Sequence, residues 1–277
     1  MAVINGTTGA DTLTGTSGND EINGLAGNDV IKGSAGADKI DGGAGIDTVD
    51  YSASAEGINV DLRLGVGLVG QGGDAEGDTL NNIETVIGSA FNDTLTAGPN
   101  AANATIRLEG GAGDDIYYLN TTAKPTIVEQ AGGGIDEVRV LVASTSGTTL
   151  TANVENLTYI GNQSFIGYGN DSDNIITGGS GNDTLYGGAG ADQFFGGADY
   201  DIVGYTDSKT GVTINLKTGV NTGIADGDTY TDIEKIVGSN YNDTFVGNGL
   251  GVSFDGGLGV DTVDYSTSSS GVNVEVR

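Results

Sequence analysis

The chain of 277 residues combines 38 Asp and Glu with only 10 Lys and Arg, which gives a formal net charge of −28. It contains no His and no Cys, which excludes a zinc-protease motif, a Ser-His-Asp triad, a disulfide framework and thiolate metal sites. The acidity opposes nucleic-acid binding, because phosphates need cationic partners, and no apolar run reaches the length of a membrane span.

Residues 6–50 form the first repeat cluster, in which nine-residue units follow one another without a break: GTTGADTLT, GTSGNDEIN, GLAGNDVIK, GSAGADKID and GGAGIDTVD. Positions one and four are always Gly, position six is always Asp, and position eight is aliphatic. A glycine turn tolerates positive φ and can aim its carbonyls inward, and the Asp adds a hard anionic oxygen. This strict phase predicts a calcium-binding solenoid rather than a disordered Gly/Asp-rich linker.

The candidate metal ligands of this cluster are the sixth and fourth positions of each unit. They are Asp11, Asp20, Asp29, Asp38 and Asp47, with Gly9, Gly18, Gly27, Gly36 and Gly45. One loop cannot supply the six to eight oxygen atoms that calcium takes. We therefore expect stacked loops to share each ion, so that the chain binds multiple calcium ions.

The units resemble the RTX nonapeptide repeat, Gly-Gly-x-Gly-x-Asp-x-aliphatic-x, as in GGAGID, GGAGDD, GSGNDTL and GGAGAD. The resemblance implies an all-β fold, a right-handed parallel β-roll or β-solenoid with inserted strands and loops. Successive repeats would lie on alternate sides of a flattened coil, so that repeats i and i+2 stack and clamp an ion. It also implies export of the unfolded chain by type I secretion machinery, with folding outside the bacterial cell, where calcium is abundant.

Three further clusters, at residues 88–118, 169–204 and 238–264, repeat the motif after insertions at 51–87, 119–168 and 205–237. Four of their units depart from Gly at position four: Ser172 and Asp199 stand at the two edges of the 169–204 cluster, and Phe91 and Tyr241 stand in units whose turns must differ. Their candidate metal ligands occupy the same sixth and fourth positions: Asp93, Asp115, Asn174, Asp183, Asp192, Asp201, Asp243 and Asp261, with Gly113, Gly181, Gly190 and Gly259.

A longer duplication joins the clusters, since residues 42–96 parallel residues 196–246 and a third copy starts at Gly256. In each copy, alternating aliphatic residues predict a half-buried strand. These triplets are Ile58, Val60 and Leu62; Val212, Ile214 and Leu216; and Val272, Val274 and Val276.

Three glutamates mark coils in which Glu replaces Asp. Glu84 and Glu234 lie nine residues before Asp93 and Asp243, and Glu155 has the same local sequence. We expect these glutamates to be structural, with a shared calcium ligand as the alternative. The insertions would then lie on one continuous calcium-bound β-solenoid over residues 1–277, with residues 97–104 as an exposed loop.

Three classes of function fit this pattern. The first is a stand-alone secreted calcium-binding protein of the cell surface or matrix, an adhesin or lectin similar to the rhizobial adhering proteins, which would recognise acidic exopolysaccharide in a biofilm. The second is a non-catalytic C-terminal or accessory module of a secreted enzyme, similar to those of alginate epimerases or serralysin-type proteases. The third is a calcium-triggered fold with no further ligand. The start at Met1 favours the first class, and the incomplete third copy favours the second.

No enzyme activity is expected, because carboxylate pairs such as Asp114 and Asp115 lie in metal loops. No organic cofactor and no cleavable signal peptide are indicated, and we expect a monomer. Three tyrosines recur at equivalent places after Asp-bearing repeats, where they would pack over the end of a coil or, alternatively, stack on a sugar. They are Tyr51, Tyr205 and Tyr265.

Overall fold

A computed structural model describes residues 1–63, 69–99, 106–249 and 251–266. Within these ranges the regular structure consists of short strands and two 3-10 turns, η1 (Gly73–Ala75) and η2 (Gly223–Ala225). The described residues form two compact units, one within Met1–Val142 and Thr151–Val154, the other within Ala143–Leu150 and Glu155–Arg277. That a single coil continues through residues 1–277 stays a prediction.

The first unit holds strands that are three or four residues long. They are β1 (Val3–Asn5), β2 (Thr12–Thr14), β3 (Glu21–Asn23), β4 (Val30–Lys32), β5 (Lys39–Asp41), β6 (Thr48–Asp50), β7 (Asn59–Asp61), β8 (Thr79–Asn81), β9 (Thr85–Ile87), β10 (Thr94–Ala97), β11 (Arg107–Glu109), β12 (Ile116–Leu119), β13 (Thr126–Val128) and β14 (Glu137–Val140).

Strands of the first unit that are consecutive in the sequence alternate between sheets. One sheet has the order β1-β3-β5-β8, a second β2-β4-β6-β9-β11-β13, and a third includes β7-β10-β12-β14. The pairs are parallel, and in the first cluster Leu13 lies beside Ile31 and Ile31 beside Val49, a step of 18 residues. Stacking of repeat i on repeat i+2 is therefore present in the structure.

The second unit repeats this arrangement with strands of two to six residues. They are β15 (Thr148–Thr149), β16 (Asn156–Tyr159), β17 (Ile166–Tyr168), β18 (Ile175–Ser180), β19 (Thr184–Tyr186), β20 (Gln193–Ala198), β21 (Ile202–Gly204), β22 (Thr213–Asn215), β23 (Thr229–Thr231), β24 (Lys235–Val237), β25 (Thr244–Val246), β26 (Ser253–Asp255) and β27 (Thr262–Asp264). They form the parallel runs β16-β18-β20-β23, β15-β17-β19-β21-β24-β26 and β22-β25-β27.

The core is a column of side chains from position eight of the repeats. A three-residue strand points only its central side chain to one face, and in the first cluster these central residues are buried: Leu13, Ile22, Ile31, Ile40 and Val49. Ile176, Leu185, Phe194 and Val203 play the same part in the second unit. Burying one such side chain stabilises the fold by roughly 1.5–3 kcal/mol. The all-β, parallel β-solenoid class predicted from the sequence is confirmed.

The predicted insertions contain coils of the same stack. Strands β8 and β9 lie inside residues 51–87, where β8 pairs with β5 and β9 pairs with β6. The predicted half-buried strands are β7 and β22, and of their aliphatic triplets only Leu216 is not fully buried. Val272, Val274 and Val276 lie outside the described residues.

The predicted exposed loop at residues 97–104 is wrong at its start. Ala97 ends strand β10 and is fully buried, and Gly98 is buried as well. Pro99 is exposed, and residues 100–104 lie outside the described ranges.

Candidate metal centre: the carboxylate ladders

The glycine at position four lets one loop lie directly on the loop 18 residues away. Gly27 has φ of +123° and Gly45 has φ of +153°. A Cβ on Gly27 would meet the backbone of Gly9, and one on Gly45 would meet the carbonyl of Gly27. Because the loops approach this closely, only glycine fits at these positions.

The sixth-position aspartates of stacked loops are joined in what we call carboxylate ladders. The Asp11 backbone N–H donates to Asp29 Oδ1 at 2.8 Å, and Asp29 N–H donates to Asp47 Oδ1 at 2.8 Å. The second unit repeats this bond from Asp183 N–H to Asp201 Oδ1 at 2.9 Å. Each aspartate therefore uses one carboxylate oxygen to hold the neighbouring coil.

The second oxygen, Oδ2, divides most of the ladder aspartates into two kinds. In the first kind Oδ2 is buried and has no hydrogen-bond partner in the part of the chain that the structure describes. Six aspartates belong to it: Asp29, Asp47, Asp115, Asp183, Asp192 and Asp201. An anionic oxygen withdrawn from water without a partner is strongly unfavourable, and a hard divalent cation would satisfy it. These residues therefore fit calcium.

In the second kind Oδ2 is already bonded inside its own loop. Thr16 donates to Asp20 Oδ2 from its backbone N–H at 2.6 Å and from Oγ1 at 2.7 Å. The same Ser or Thr at position two serves Asp11, Asp38, Asp93 and Asp243. Asn174 is held in a similar way, with Asn170 N–H donating to its Oδ1 at 2.8 Å.

The residue at position two accounts for this division. In the loops with an unpartnered Oδ2, position two has positive φ and does not bond the aspartate. Its residues are Leu25, Gly43, Gly111, Gly179, Gly188 and Gly197, with φ between +77° and +112°. Glycine accepts this conformation without strain, whereas Ser and Thr do not. The sequence could have revealed this signal, but the prediction treated all these aspartates alike.

Loops that lack the position-four glycine also differ from one another. Phe91 and Tyr241 do not have positive φ and are exposed, and both lie in loops of the second kind. Asp199 instead adopts φ of +78°, so it takes the glycine's conformation at that position. Asp261 is only half-buried at its ladder end, although Gly259 has φ of +121°.

Three ladder aspartates were missed by the sequence analysis, which placed them in insertions. Asp38 N–H donates to Asp78 Oδ1 at 2.8 Å, Asp192 N–H to Asp228 Oδ1 at 2.8 Å, and Asp115 N–H to Asp136 Oδ1 at 2.9 Å. The signal was present in GDAEGDTLN, GIADGDTYT and AGGGIDEVR, which keep Asp at position six but lose Gly at position four or position one.

Tyrosine hydroxyls occupy the second oxygen at two ladder ends. Tyr51 donates to Asp78 Oδ2 at 2.8 Å and Tyr205 donates to Asp228 Oδ2 at 2.5 Å. Both rings are fully buried, so neither presents a face on which a sugar could stack. Burial and the adjacent carboxylate raise the pKa of each tyrosine well above its usual value, which keeps the hydroxyl protonated and able to donate.

Two glutamates continue the ladders in place of aspartate. Glu84 Oε2 accepts from Asp47 N–H at 2.9 Å, and Glu234 Oε2 accepts from Asp201 N–H at 2.8 Å. These bonds agree with the structural role expected for both residues. At the coil of Glu155, the backbone carbonyl accepts from Asn174 Nδ2 at 3.1 Å.

Burial makes several of the ladder carboxylates resist ionisation in the absence of a cation. Desolvation, reinforced by neighbouring carboxylates, raises the pKa of Asp115 to about 8 and the pKa values of Asp183 and Asp192 to about 7. The pKa of Asp47 is raised for the same reasons. A bound divalent cation would reverse this shift, because it stabilises the ionised form.

Comparisons with known proteins agree with this site. The family model described as RTX calcium-binding nonapeptide repeat (4 copies) matches residues 3–27, 14–49, 78–101, 107–121 and 168–203. The endo-1,3-1,4-beta-glycanase ExsH of Rhizobium meliloti (strain 1021) is 40% identical over 81 residues. That match covers 29% of this chain and 16% of the glycanase. In the described ranges, no helix has the length and apolar character needed to cross a membrane.

Proposed function

Because the chain carries RTX calcium-binding nonapeptide repeats, we propose that it is a secreted protein that folds when its loops bind calcium outside the cell. The observation that carries this proposal is the set of six buried Oδ2 atoms without partners. Each lies close to the first glycine of its own loop, and the carbonyls of the stacked glycine turns would complete an oxygen shell. The residues that would hold the ions are those aspartates, with the loop carbonyls around them.

Calcium would here be a structural cofactor that supplies positive charge between stacked loops. The formal charge of −28 opposes compaction until cations reduce it. Because the ligands of one ion come from two coils, binding and folding are one event. The role is non-catalytic, in keeping with repeats that serve as structure.

Circular dichroism with chelator and with calcium tests this proposal. Chelator should abolish most of the β signal, and millimolar calcium should restore it cooperatively. Magnesium is the matched control and should not restore the signal, because it requires a tight octahedron and releases its water reluctantly. A full native signal in excess chelator would overturn the proposal.

A second, finer role is suggested by the similarity to a glycanase. We propose that the folded chain recognises an acidic polysaccharide, either as a surface or matrix adhesin or as an accessory module of a secreted glycan-acting enzyme. The support is the local match to the Rhizobium meliloti enzyme, which is named as an endo-1,3-1,4-beta-glycanase. An acidic chain should repel an acidic polymer unless bound calcium lowers its charge.

Surface plasmon resonance on immobilised exopolysaccharide tests that role. Binding should require calcium and should rise with calcium until the loops are saturated. Undiminished binding in chelator, or none at millimolar calcium over a broad glycan panel, would contradict glycan recognition. Calcium-coupled folding would stand in either case, since its test is separate.

A further inference from the structure

One carboxylate cluster in the first unit does not follow the repeat pattern. Asp115, Glu129 and Asp136 are all buried, and one carboxylate oxygen from each lies within 4.8 Å of the others. Asp115 and Asp136 are successive members of a ladder. Glu129 does not occupy position six of a repeat, and it is part of none of the sequence motifs described above.

Glu129 enters the cluster from an irregular loop. It directly follows strand β13, at the place where other repeats begin their loop with Gly. In a regular loop the corresponding residue is a glycine, which offers only its backbone carbonyl to the loop on which it stacks. Gly110 does this to Gly88. Glu129 instead brings in a carboxylate, to which Tyr117 donates a hydrogen bond from its buried hydroxyl.

Three oxygens converge on one point in this cluster. Asp115 Oδ2, Tyr117 Oη and Glu129 Oε1 all lie within 2.5 Å of the place that a Cβ on Gly110 would occupy. Asp115 is 1% exposed, and its Oδ2 has no hydrogen-bond partner in the described part of the chain. A side chain at residue 110 would collide with these oxygens, so glycine is what allows them to converge.

We propose that Asp115, Glu129 and Asp136 form a three-carboxylate calcium site, the tightest in the protein. The inference rests on the proposed calcium-coupled folding and extends it to a residue outside the repeat. Calcium affinity rises with the number of charged ligands and with the rigidity of the site. An ordinary ladder site has two aspartates, whereas this one has a third carboxylate held by Tyr117.

The charge of the cluster also selects the cation. Three carboxylates exceed the two charges of calcium, so a trivalent lanthanide should bind here in preference to the two-aspartate sites. Tyr117 lies beside the ion and should transfer excitation energy to bound terbium. The chain contains no Trp, so emission sensitised at the aromatic band would come from tyrosine.

The first experiment measures stepwise calcium affinity by competition with a fluorescent chelator. Glu129→Gln keeps the size of the side chain but removes its charge, and it should weaken the tightest calcium step by about tenfold or more. The matched control is Glu109→Gln, because Glu109 lies in the same unit and pairs with Arg107 at 2.6 Å. The control should leave the tightest step unchanged. An unchanged tightest step in Glu129→Gln would overturn the proposal.

The second experiment uses terbium as the probe and does not depend on the folding of the glutamate variant. Tyr117→Phe should remove most of the sensitised emission of the first terbium bound, while Tyr118→Phe, whose hydroxyl accepts from Arg139 at 2.8 Å, should retain it. Full emission of the first terbium in Tyr117→Phe would overturn the site. If the unaltered protein bound no calcium, the proposed function would fail, whereas normal binding with unaffected variants would refute this inference alone.

Discussion

At the scale of single residues, position two of the loop decides what an aspartate can do. Thr16 satisfies Asp20 within its own loop, whereas Gly43, with φ of +98°, leaves Asp47 Oδ2 buried without a partner. A carboxylate oxygen that already accepts two hydrogen bonds loses them when it turns to a metal. Calcium should therefore bind first to the loops in which the residue at position two has positive φ.

Replacing Thr16 by Gly should convert a loop whose aspartate is hydrogen-bonded internally into a loop that can bind calcium. The variant frees Asp20 Oδ2 and permits positive φ, so calcium affinity at this loop should rise, and native mass spectrometry at limiting calcium should detect more bound ion. Ser17→Gly is the control, since Ser17 is exposed in the same loop. Equal calcium content in both variants would refute the role of position two.

Removing the Tyr51 hydroxyl should destabilise the first unit. Tyr51→Phe leaves the buried Asp78 Oδ2 without its donor, which should lower the free energy of unfolding by about 1–3 kcal/mol. The measurement is chemical denaturation at saturating calcium, with the exposed Tyr241→Phe as the control. An unfolding free energy equal to that of the control would contradict the importance of this bond.

At the scale of elements, each strand is too short to be stable alone and depends on the coils beside it. Strand β4 pairs with both β2 and β6, and its loop aspartate, Asp29, bonds the loops on both sides. Asp11 has a stacked neighbour on one side only, because β2 is the end of its sheet. A substitution in the middle of a stack should therefore destabilise more of the neighbouring coils than a substitution at its end.

Asp29→Ala should accordingly lose more calcium than Asp11→Ala. The central aspartate would serve two shared ions and the terminal one a single ion, and Asp11 Oδ2 is already bonded to Thr7. Mass spectrometry of the two variants gives the bound calcium, and hydrogen exchange shows how far the damage extends. Identical calcium content and protection would refute the sharing of ions between repeats i and i+2.

At the scale of the whole molecule, acidity is the main obstacle to folding. The formal charge of the chain is −28, and burial raises the pKa of several carboxyl groups in the ladders, to about 7 for Asp183 and Asp192. Protons and calcium are thus alternative ways to neutralise the same oxygens.

The metal-free chain should therefore be more structured in mild acid. Burial raises these pKa values in the folded state above their ordinary value near 4, so the folded chain binds protons more tightly than the unfolded chain. The resulting stabilisation is fully present below about pH 4 and is lost as the pH rises through about 7. Circular dichroism in chelator should show more β signal at about pH 5 than at about pH 8.

Calcium affinity should change in the opposite direction over the same range. Protons must leave the carboxyl groups before calcium can bind, so affinity should increase from about pH 5 to about pH 8. Calcium titrations across this range measure the effect. A constant affinity would contradict the raised pKa values.

The amino-acid sequence by itself determined the all-β solenoid, its period and most of the ladder aspartates. It could do so because a nine-residue repeat brings every copy of a position to an equivalent place in the stack, so that Asp47 and Asp192 share an environment without being close in sequence. The glutamates Glu84 and Glu234 were predictable in the same way, since they keep the spacing to the next aspartate.

Only the tertiary structure decided which residues from irregular loops reach the ladder carboxylates. Asp78 and Asp136 keep the aspartate but lose a glycine, and Glu129 has no place in the repeat at all. Their contacts with Tyr51, Asp115 and Tyr117 join residues 12 to 27 positions apart. The physical reason is that a period fixes the backbone path, whereas the neighbours of a side chain at an irregular loop depend on how that loop packs against the next coil.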